Sequence, residues 1–351
     1  FEGKPLTPEL ARLRAQWETV AEVTQIKGTS ETHPLLSPDD EFASFEFFSR
    51  LIESRPEAQL TPTVTAGDYL RGALMAGLEL DAALGVNPFK LGMIGSTDSH
   101  TGLASAEEDN FMGKMAIDSI PENKSLGFAG VSGWEMSSSG LAAVWARENT
   151  REEIAAAFRR REVYGTTGPR IKVRFFGGYG YALEDVLARD IASAGYAKGV
   201  PMGGDLTRAV DGAAPSFLVL ATKDPVGANL DRIQIVKGWL GPDGKAREKV
   251  FDVVWSGARE LGAKGRVPSV GDTVGADASY ENSIGVAELS AEWTDPEFDP
   301  AVRAFYYARV LQLPTPRNSL YDSVALGETP PKGYATTIQE RAYTSPIWYT
   351  P

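Results

Sequence analysis

Residues 65–94 constrain the fold more than any other stretch, because they spell out a helix, a break and a buried strand in that order. In TAGDYLRGALMAGLELDAALG, Leu70, Leu74, Leu78 and Ala82 recur every four residues, and Thr65 with Asp68 three positions on forms a capping box. A helix is therefore expected to end near Gly85, with Asn87-Pro88 breaking the chain before the apolar run Leu91-Gly92-Met93-Ile94. The polar stretch GSTDSHTG, residues 95–102, comes straight after this strand. In α/β folds ligands gather at the carboxyl ends of strands, which is where Asp98 and His100 fall.

A second unit of the same kind follows, with LAAVWA at 141–146 as a strand and Thr150-Arg-Glu-Glu153 as another capping box. Its helix carries Ile154, Ala157 and Phe158 on one face and runs out in Arg159-Arg160-Arg161, which suits the negative end of a helix dipole. Ahead of both units, residues 8–33 read as a helix or loop feeding a strand, and the Pro-bounded segment 37–63 reads as a surface excursion. Beyond about residue 172 helical periodicity fades. SFLVLAT, RIQIVKGWL, KVFDVVW and RAFYYARVLQL are instead short segments set apart by turn signals such as Gly241-Pro242-Asp243-Gly244. Such spacing points to an antiparallel β-sandwich or a similar all-β module, which divides the chain into residues 1–171 and 172–351.

Composition removes several function classes. There is no cysteine, so disulfides, thiolate metal sites, iron–sulfur clusters and cysteine nucleophiles are excluded. A formal net charge of -12 without clustered Lys and Arg argues against a nucleic-acid partner. No run of about 18 apolar residues offers a membrane span. The first residues, Phe1-Glu2-Gly3-Lys4-Pro5, carry neither Met nor a signal peptide and suggest a processed or truncated product.

With only two histidines in 351 residues, their positions are informative, and each stands one residue from an acid: Glu31-Thr32-His33 and Asp98-Ser99-His100. Alternate residues of an extended segment project to the same side, so each pair could present a carboxylate and an imidazole to one point. That donor set suits Zn, Mn or Fe. The competing reading is a histidine hydrogen-bonded within a polar turn, which for His33, followed by Pro34, has equal weight. A serine-based triad is disfavoured because neighbours in sequence rarely form one and no G-x-S-x-G elbow is present. No phosphate-binding G-x-x-x-x-G-K-[ST] loop occurs either, and GGYGYAL at 177–183 reads as a β-turn without a following helix. In YGTTGPR, residues 164–170, an ordinary turn competes with a role for Arg170 and the hydroxyls of Thr166 and Thr167 in holding an anionic or carbonyl group near the metal.

GTSETHPLLSPDDEF, GMIGSTDSHTG and LAAVWARENTREEIAAAFRRREVYGTTGPRIKVRFF, together with RNSLYDSVALGETPP and IQERAYTSPIWYTP, resemble the carboxyl-terminal two thirds of the domain-of-unknown-function 3604 family. That bacterial family is similar to the polymerase-and-histidinol-phosphatase (PHP) metallohydrolases, including the carbaryl-hydrolase-like branch. The resemblance implies a distorted β/α barrel with a metal cluster at the strand carboxyl ends. It makes TDSH the last ligand motif, with Asp98 and His100 as ligands, and matches Glu31 and His33 to an S-E-x-H segment. The same families carry an H-x-H motif on their first strand, which this chain lacks, so a missing amino-terminal segment of the same protein becomes an expected partner. Family tendency also implies a periplasmic or secreted location.

The expected function is thus metal-dependent hydrolysis of a phosphoester or another ester, amide or carbamate bond in a small-molecule substrate. Asp98 and His100 would be catalytic, and a Zn-, Mn- or Fe-bound water would be the nucleophile. The alternative is a non-catalytic ligand- or partner-binding protein with a degenerate barrel.

Overall fold

The computed structural model describes residues 5–46, 48, 64–103, 105–126, 131–137, 139–209, 211–262, 265–271 and 273–351. The protein is mixed α/β and mostly sheet, with one large curled sheet resembling a half-barrel and smaller sheets around it.

The amino-terminal part is a small parallel unit. Helix α1 (Pro8–Trp17) starts at Thr7, whose Oγ1 accepts from Leu10 N at 3.3 Å, with Pro8 in the first turn where its missing N–H is harmless. Strand β1 (Val20–Gln25) turns back into the short β2 (Gly28–Thr29), and α2 (Leu70–Leu84) leads to β3 (Gly92–Gly95), which pairs parallel to β1. The expected capping box at Thr65 and Asp68 is present but closes a separate 3-10 turn, Ala66–Asp68, so the helix proper begins at Leu70. It stops where Gly85 takes a left-handed conformation (φ 70°).

The next hairpin, β4 (Leu141–Val144) and β5 (Val163–Thr166), is bridged by α3 (Arg151–Arg160), whose cap Thr150 accepts from Glu153 N at 3.3 Å. Strand β6 (Lys172–Gly178) is followed by α4 (Leu183–Val186), so the turn at 177–183 does precede a helix, though one of only four residues. After α5 (Ile191–Lys198) come β7 (Gly199–Pro201), β8 (Asp205–Thr207), β9 (Ser216–Thr222), β10 (Leu230–Leu240) and β11 (Ala246–Trp255), the last two joined by the Gly241-Pro-Asp-Gly244 turn. The chain finishes with β12 (Glu288–Thr294), β13 (Ala304–Gln312), β14 (Thr315–Pro316), α6 (Asn318–Leu326), β15 (Thr337–Ile338), β16 (Arg341–Thr344) and β17 (Ile347–Thr350).

The large sheet runs β11-β10-β13-β16-β5-β4, with β17 also on β13 and β8 on β17. Strands from both sides of residue 172 therefore share it: Tyr164 pairs with Thr344 and Thr166 with Ala342. A second sheet, β12-β9-β6-β7, lies against one face. Strand β13 shows how the layers form, because all nine of its residues are buried and its alternate side chains serve opposite faces. Ala304, Tyr306, Ala308 and Val310 join Phe175, Phe217 and Val219 of the four-stranded sheet in the main core. Phe305 and Tyr307 face the other way, onto Leu70, Leu74 and Leu78 of α2 and Val23 and Met93 of the small parallel sheet. No helix among the described residues is long and apolar enough to cross a membrane.

Arg309 shares the α2 face of β13 and ends in a buried ionic network. Its Nη1 donates to Glu31 Oε2 at 3.1 Å and to Asp40 Oδ2 at 2.9 Å, and its Nη2 to Asp40 Oδ1 at 2.6 Å. Arg71 of α2 donates to the same two carboxylates at 2.5 and 2.9 Å, and the Tyr307 hydroxyl donates to Glu31 at 2.6 Å. Ser37 and Asp40 are thus buried, correcting the expectation that the chain becomes a surface excursion at residue 37; positions 47 and 49–63 of that segment lie outside the described residues. Burial alone would raise the Glu31 and Asp40 carboxyls, but the two guanidiniums more than offset it and hold both below the usual carboxylate range.

Two glycines set how closely the small unit lies on the large sheet. A Cβ on Gly165 of β5 would stand 2.7 Å from Gly95 N, and one on Gly95 would stand 2.7 Å from Thr166 O. Both obstructions are backbone, so neither can swing away.

Two stability predictions arise from these contacts. Arg309→Met should leave two buried carboxylates short of a partner and lower unfolding stability by about 3–5 kcal/mol; a urea midpoint unchanged from wild type would show the network is dispensable. Gly165→Ala should cost about 1–3 kcal/mol by overpacking, and a thermal transition unmoved by that methyl group would contradict the close approach.

Candidate functional site

Because β1 and β3 are parallel, their carboxyl ends emerge side by side, and the loops that follow meet there. Ile26 N donates to Thr97 O at 3.3 Å, and Gly140 N donates to Ser96 O at 2.9 Å, which ties the loop after β3 to both neighbours. His100 N donates to Lys114 O at 2.8 Å, bringing in a third segment. At the centre Asp98 adopts φ 50°, a left-handed backbone that few non-glycine residues use, though Asp does so more readily than most.

That backbone places the Asp98 carboxylate among cations. Lys114 Nζ donates to Asp98 Oδ2 at 2.6 Å and to its carbonyl oxygen at 3.0 Å, and Lys27 Nζ reaches the same Oδ2. His100 Nε2 lies 3.4 Å from Asp98 Oδ1 and 3.4 Å from Lys114 Nζ, with its side chain half exposed. Burial pushes Asp98 up, but the hydrogen bonds from Lys114 and Lys27 outweigh it and the carboxyl is held below its ordinary value. For Lys114 burial dominates; helped by the neighbouring Lys27 charge and opposed by Asp98, it lowers the ammonium's pKa. The result is an accessible acid–imidazole pair with two ammonium groups beside it, able to hold a negatively charged group and to move a proton.

The four expected metal ligands are not gathered in one place. Glu31 has both oxygens engaged by Arg71, Arg309 and Tyr307. After it the chain turns, with Leu36 N and Ser37 N both bonded to His33 O at 2.9 Å. His33 Nδ1 accepts from Leu35 N at 3.1 Å and its ring packs 5.8 Å from that of Tyr69. Among the described residues no three His, Asp or Glu side chains form a metal-holding group. Asp98 and His100 lie together: the 3.4 Å between their donor atoms matches two positions on one tetrahedral ion with bonds of about 2.1 Å.

Thr167 and Arg170 make their contacts elsewhere. The Thr167 hydroxyl bonds to the carboxylate of Glu340, and Arg170 lies exposed, 3.5 Å from Glu107. Glu340 is fully enclosed, and burial first, then the nearby Glu108 charge, push its carboxyl well above the usual range. Lys27 and Lys114 are the site residues that sequence reasoning missed. The only signal for Lys27 was its place just after β1, and Lys114 had none.

What these features define is a mixed α/β protein with an acid–histidine–lysine cluster at the carboxyl ends of a parallel strand pair. The chain belongs to the family described as Protein of unknown function (DUF3604), whose model matches residues 1–351. No curated protein and no solved structure matches it.

Glu340 yields a pH-dependent prediction. A carboxyl whose folded pKa is raised costs nothing while protonated and becomes a penalty as pH rises past its unfolded value of about 4.3. Glu340→Gln should therefore raise the melting temperature by about 2–4 °C near neutrality and by nothing near the unfolded carboxyl pKa, as read by thermal denaturation. An equal shift at both pH values would mean that the carboxyl is not held neutral.

Proposed function

We propose that the cluster at Asp98 and His100 is the catalytic site of a metal-dependent hydrolase acting on a small, negatively charged substrate, a phosphoester before other esters, amides or carbamates. The observation that carries this reading is the Asp98 carboxylate held in a left-handed backbone between Lys27 and Lys114 with His100 alongside. The resemblance of TDSH to the last ligand motif of PHP-type barrels supports it.

Each residue has a distinct task. Lys27 and Lys114 bind the anionic group of the substrate, drawing charge that they otherwise share with Asp98. Asp98 Oδ1 and His100 Nε2, 3.4 Å apart, are the atoms that would hold the metal ion. A divalent Zn, Mn or Fe ion bound by Asp98 and His100 with further ligands would supply a water of lowered pKa.

The preference for phosphoesters comes from charge. Two ammonium groups against one carboxylate leave the cluster net positive within a chain of formal charge -12. A dianionic phosphoryl group gains more from that local field than a neutral carbamate does.

Turnover of p-nitrophenyl phosphate, p-nitrophenyl acetate and a p-nitrophenyl carbamate, with and without added Mn or Zn, tests the reading. Asp98→Asn and His100→Ala should each lower kcat/KM by about 100-fold or more while melting as wild type does. Lys27→Met and Lys114→Met should raise KM for the phosphoester more than for the neutral esters. Full activity in a folded Asp98→Asn/His100→Ala double variant would refute the site. Absence of turnover and of bound metal in the wild-type protein would favour the rival reading, a ligand-binding protein whose lysines permanently neutralise Asp98.

A further inference from the structure

A cavity of about 220 Å³ opens where the turn after β5, the loop around residues 106–109, the loop before β10, the end of β13 and helix α6 converge. Its wall is acidic. Glu107, Glu108, Asp109 and Asp224 line it, beside the carboxyl of Glu340 that burial holds neutral, against the single lining cation Arg170, which is itself beside Glu107.

Not all of that charge is free. Glu108 accepts from Asn318 N at 2.6 Å and from its side-chain amide at 2.7 Å, while Asp224 accepts from Arg170 N at 2.6 Å and Val226 N at 3.1 Å. Asp109 has neither a hydrogen bond nor an ion pair among the described residues, yet its charge is felt by the phenols of Tyr280 and Tyr321, which also line the cavity. Burial first, and that charge next, push Tyr321 up to about 12, so both rings stay neutral at physiological pH.

The independent sign of a ligand is Gln312. Its backbone is fully used, with N donating to Glu340 O at 3.0 Å and O accepting from Gln339 Nε2 at 2.9 Å. The side chain lines the cavity, is 2% exposed, and leaves Oε1 buried without a partner. An orphaned buried acceptor is costly, so the site is built to receive a donor.

These features narrow the occupant. An anion is opposed by the surplus of carboxylates. A metal ion lacks a group of three donors among the described residues. A cation carrying N–H groups answers both the charge and the orphaned carbonyl, and neutral tyrosine rings favour cations at their faces.

We propose that this cavity binds a small organic cation with N–H donors, a primary ammonium or a guanidinium, whose head donates to Gln312 Oε1 and whose charge is balanced by Asp109. The site is separate from the Asp98 cluster and does not depend on its chemistry.

Calorimetric titration of the full chain with agmatine, n-butylamine and tetramethylammonium tests this. Agmatine and butylamine should each saturate one site, and tetramethylammonium, which has no N–H, should bind about tenfold more weakly or not at all. Asp109→Asn, at an exposed position, should weaken both amines about fivefold. Gln312→Leu, which removes the unpaired acceptor, should abolish the preference over tetramethylammonium. The same affinities in His100→Ala would keep the result independent of the hydrolase reading. No saturable binding of either amine up to about 10 mM, affinities untouched by Asp109→Asn, or tetramethylammonium binding as tightly as butylamine would each overturn the proposal. Should Gln312→Leu not fold, Asp109→Asn and the tetramethylammonium comparison decide it.

Discussion

The fold depends on a group of buried charges. Arg71 from α2 and Arg309 from β13 enclose Glu31 and Asp40 from the loop after β2 away from water, and Arg71 also meets the partly buried Glu248 of β11 at 3.2 Å. Each ion would be prohibitive alone; together, with Tyr307 and Gln234 taking remaining hydrogen bonds, they neutralise one another. Because the partners come from α2, the loop after β2 and the large sheet, the group fixes where the small parallel unit sits. A purely apolar contact such as that between α2 and Phe305 could slide; a bidentate arginine cannot do so without breaking.

That placement matters because the candidate catalytic cluster is assembled from loops. Lys27, Asp98 and Lys114 belong to three segments with no regular structure of their own, held in register by the pairing of β1 with β3, the glycine contact with β5 and the backbone hydrogen bonds between the loops. The amine cavity is built differently, on the end of β13 and the turn after β5, with its orphaned acceptor on a fully buried strand.

Local signals in the sequence were legible where local physics decides. The four-residue leucine spacing, Thr150 and Gly85 mark helices and caps whose partners lie within one turn, and the apolar run at 91–94 marks β3. The strands after residue 172 were legible as well, but not their pairing with β5, since nothing near Tyr164 indicates that Thr344 will lie opposite. For the site, the Asp98–His100 pair could be read because both residues share one loop. Glu31 shows the limit of that reasoning: its partners are 40 and 278 residues away, and no spacing rule tells an acid awaiting a metal from one awaiting two arginines. Lysines, which have no characteristic spacing around a carboxylate, could not be read at all.

The pairing of β5 with β16 has a consequence for how the protein is made. Strand β5 supports the loops of the Asp98 cluster through Gly165, yet of its two neighbours in the sheet, β4 and β16, the second is synthesised some 180 residues later. While the ribosome is still translating the middle of the chain, β5 has β4 on one side and an open edge on the other. That edge stays open to pairing with other chains until residues 341–344 have emerged.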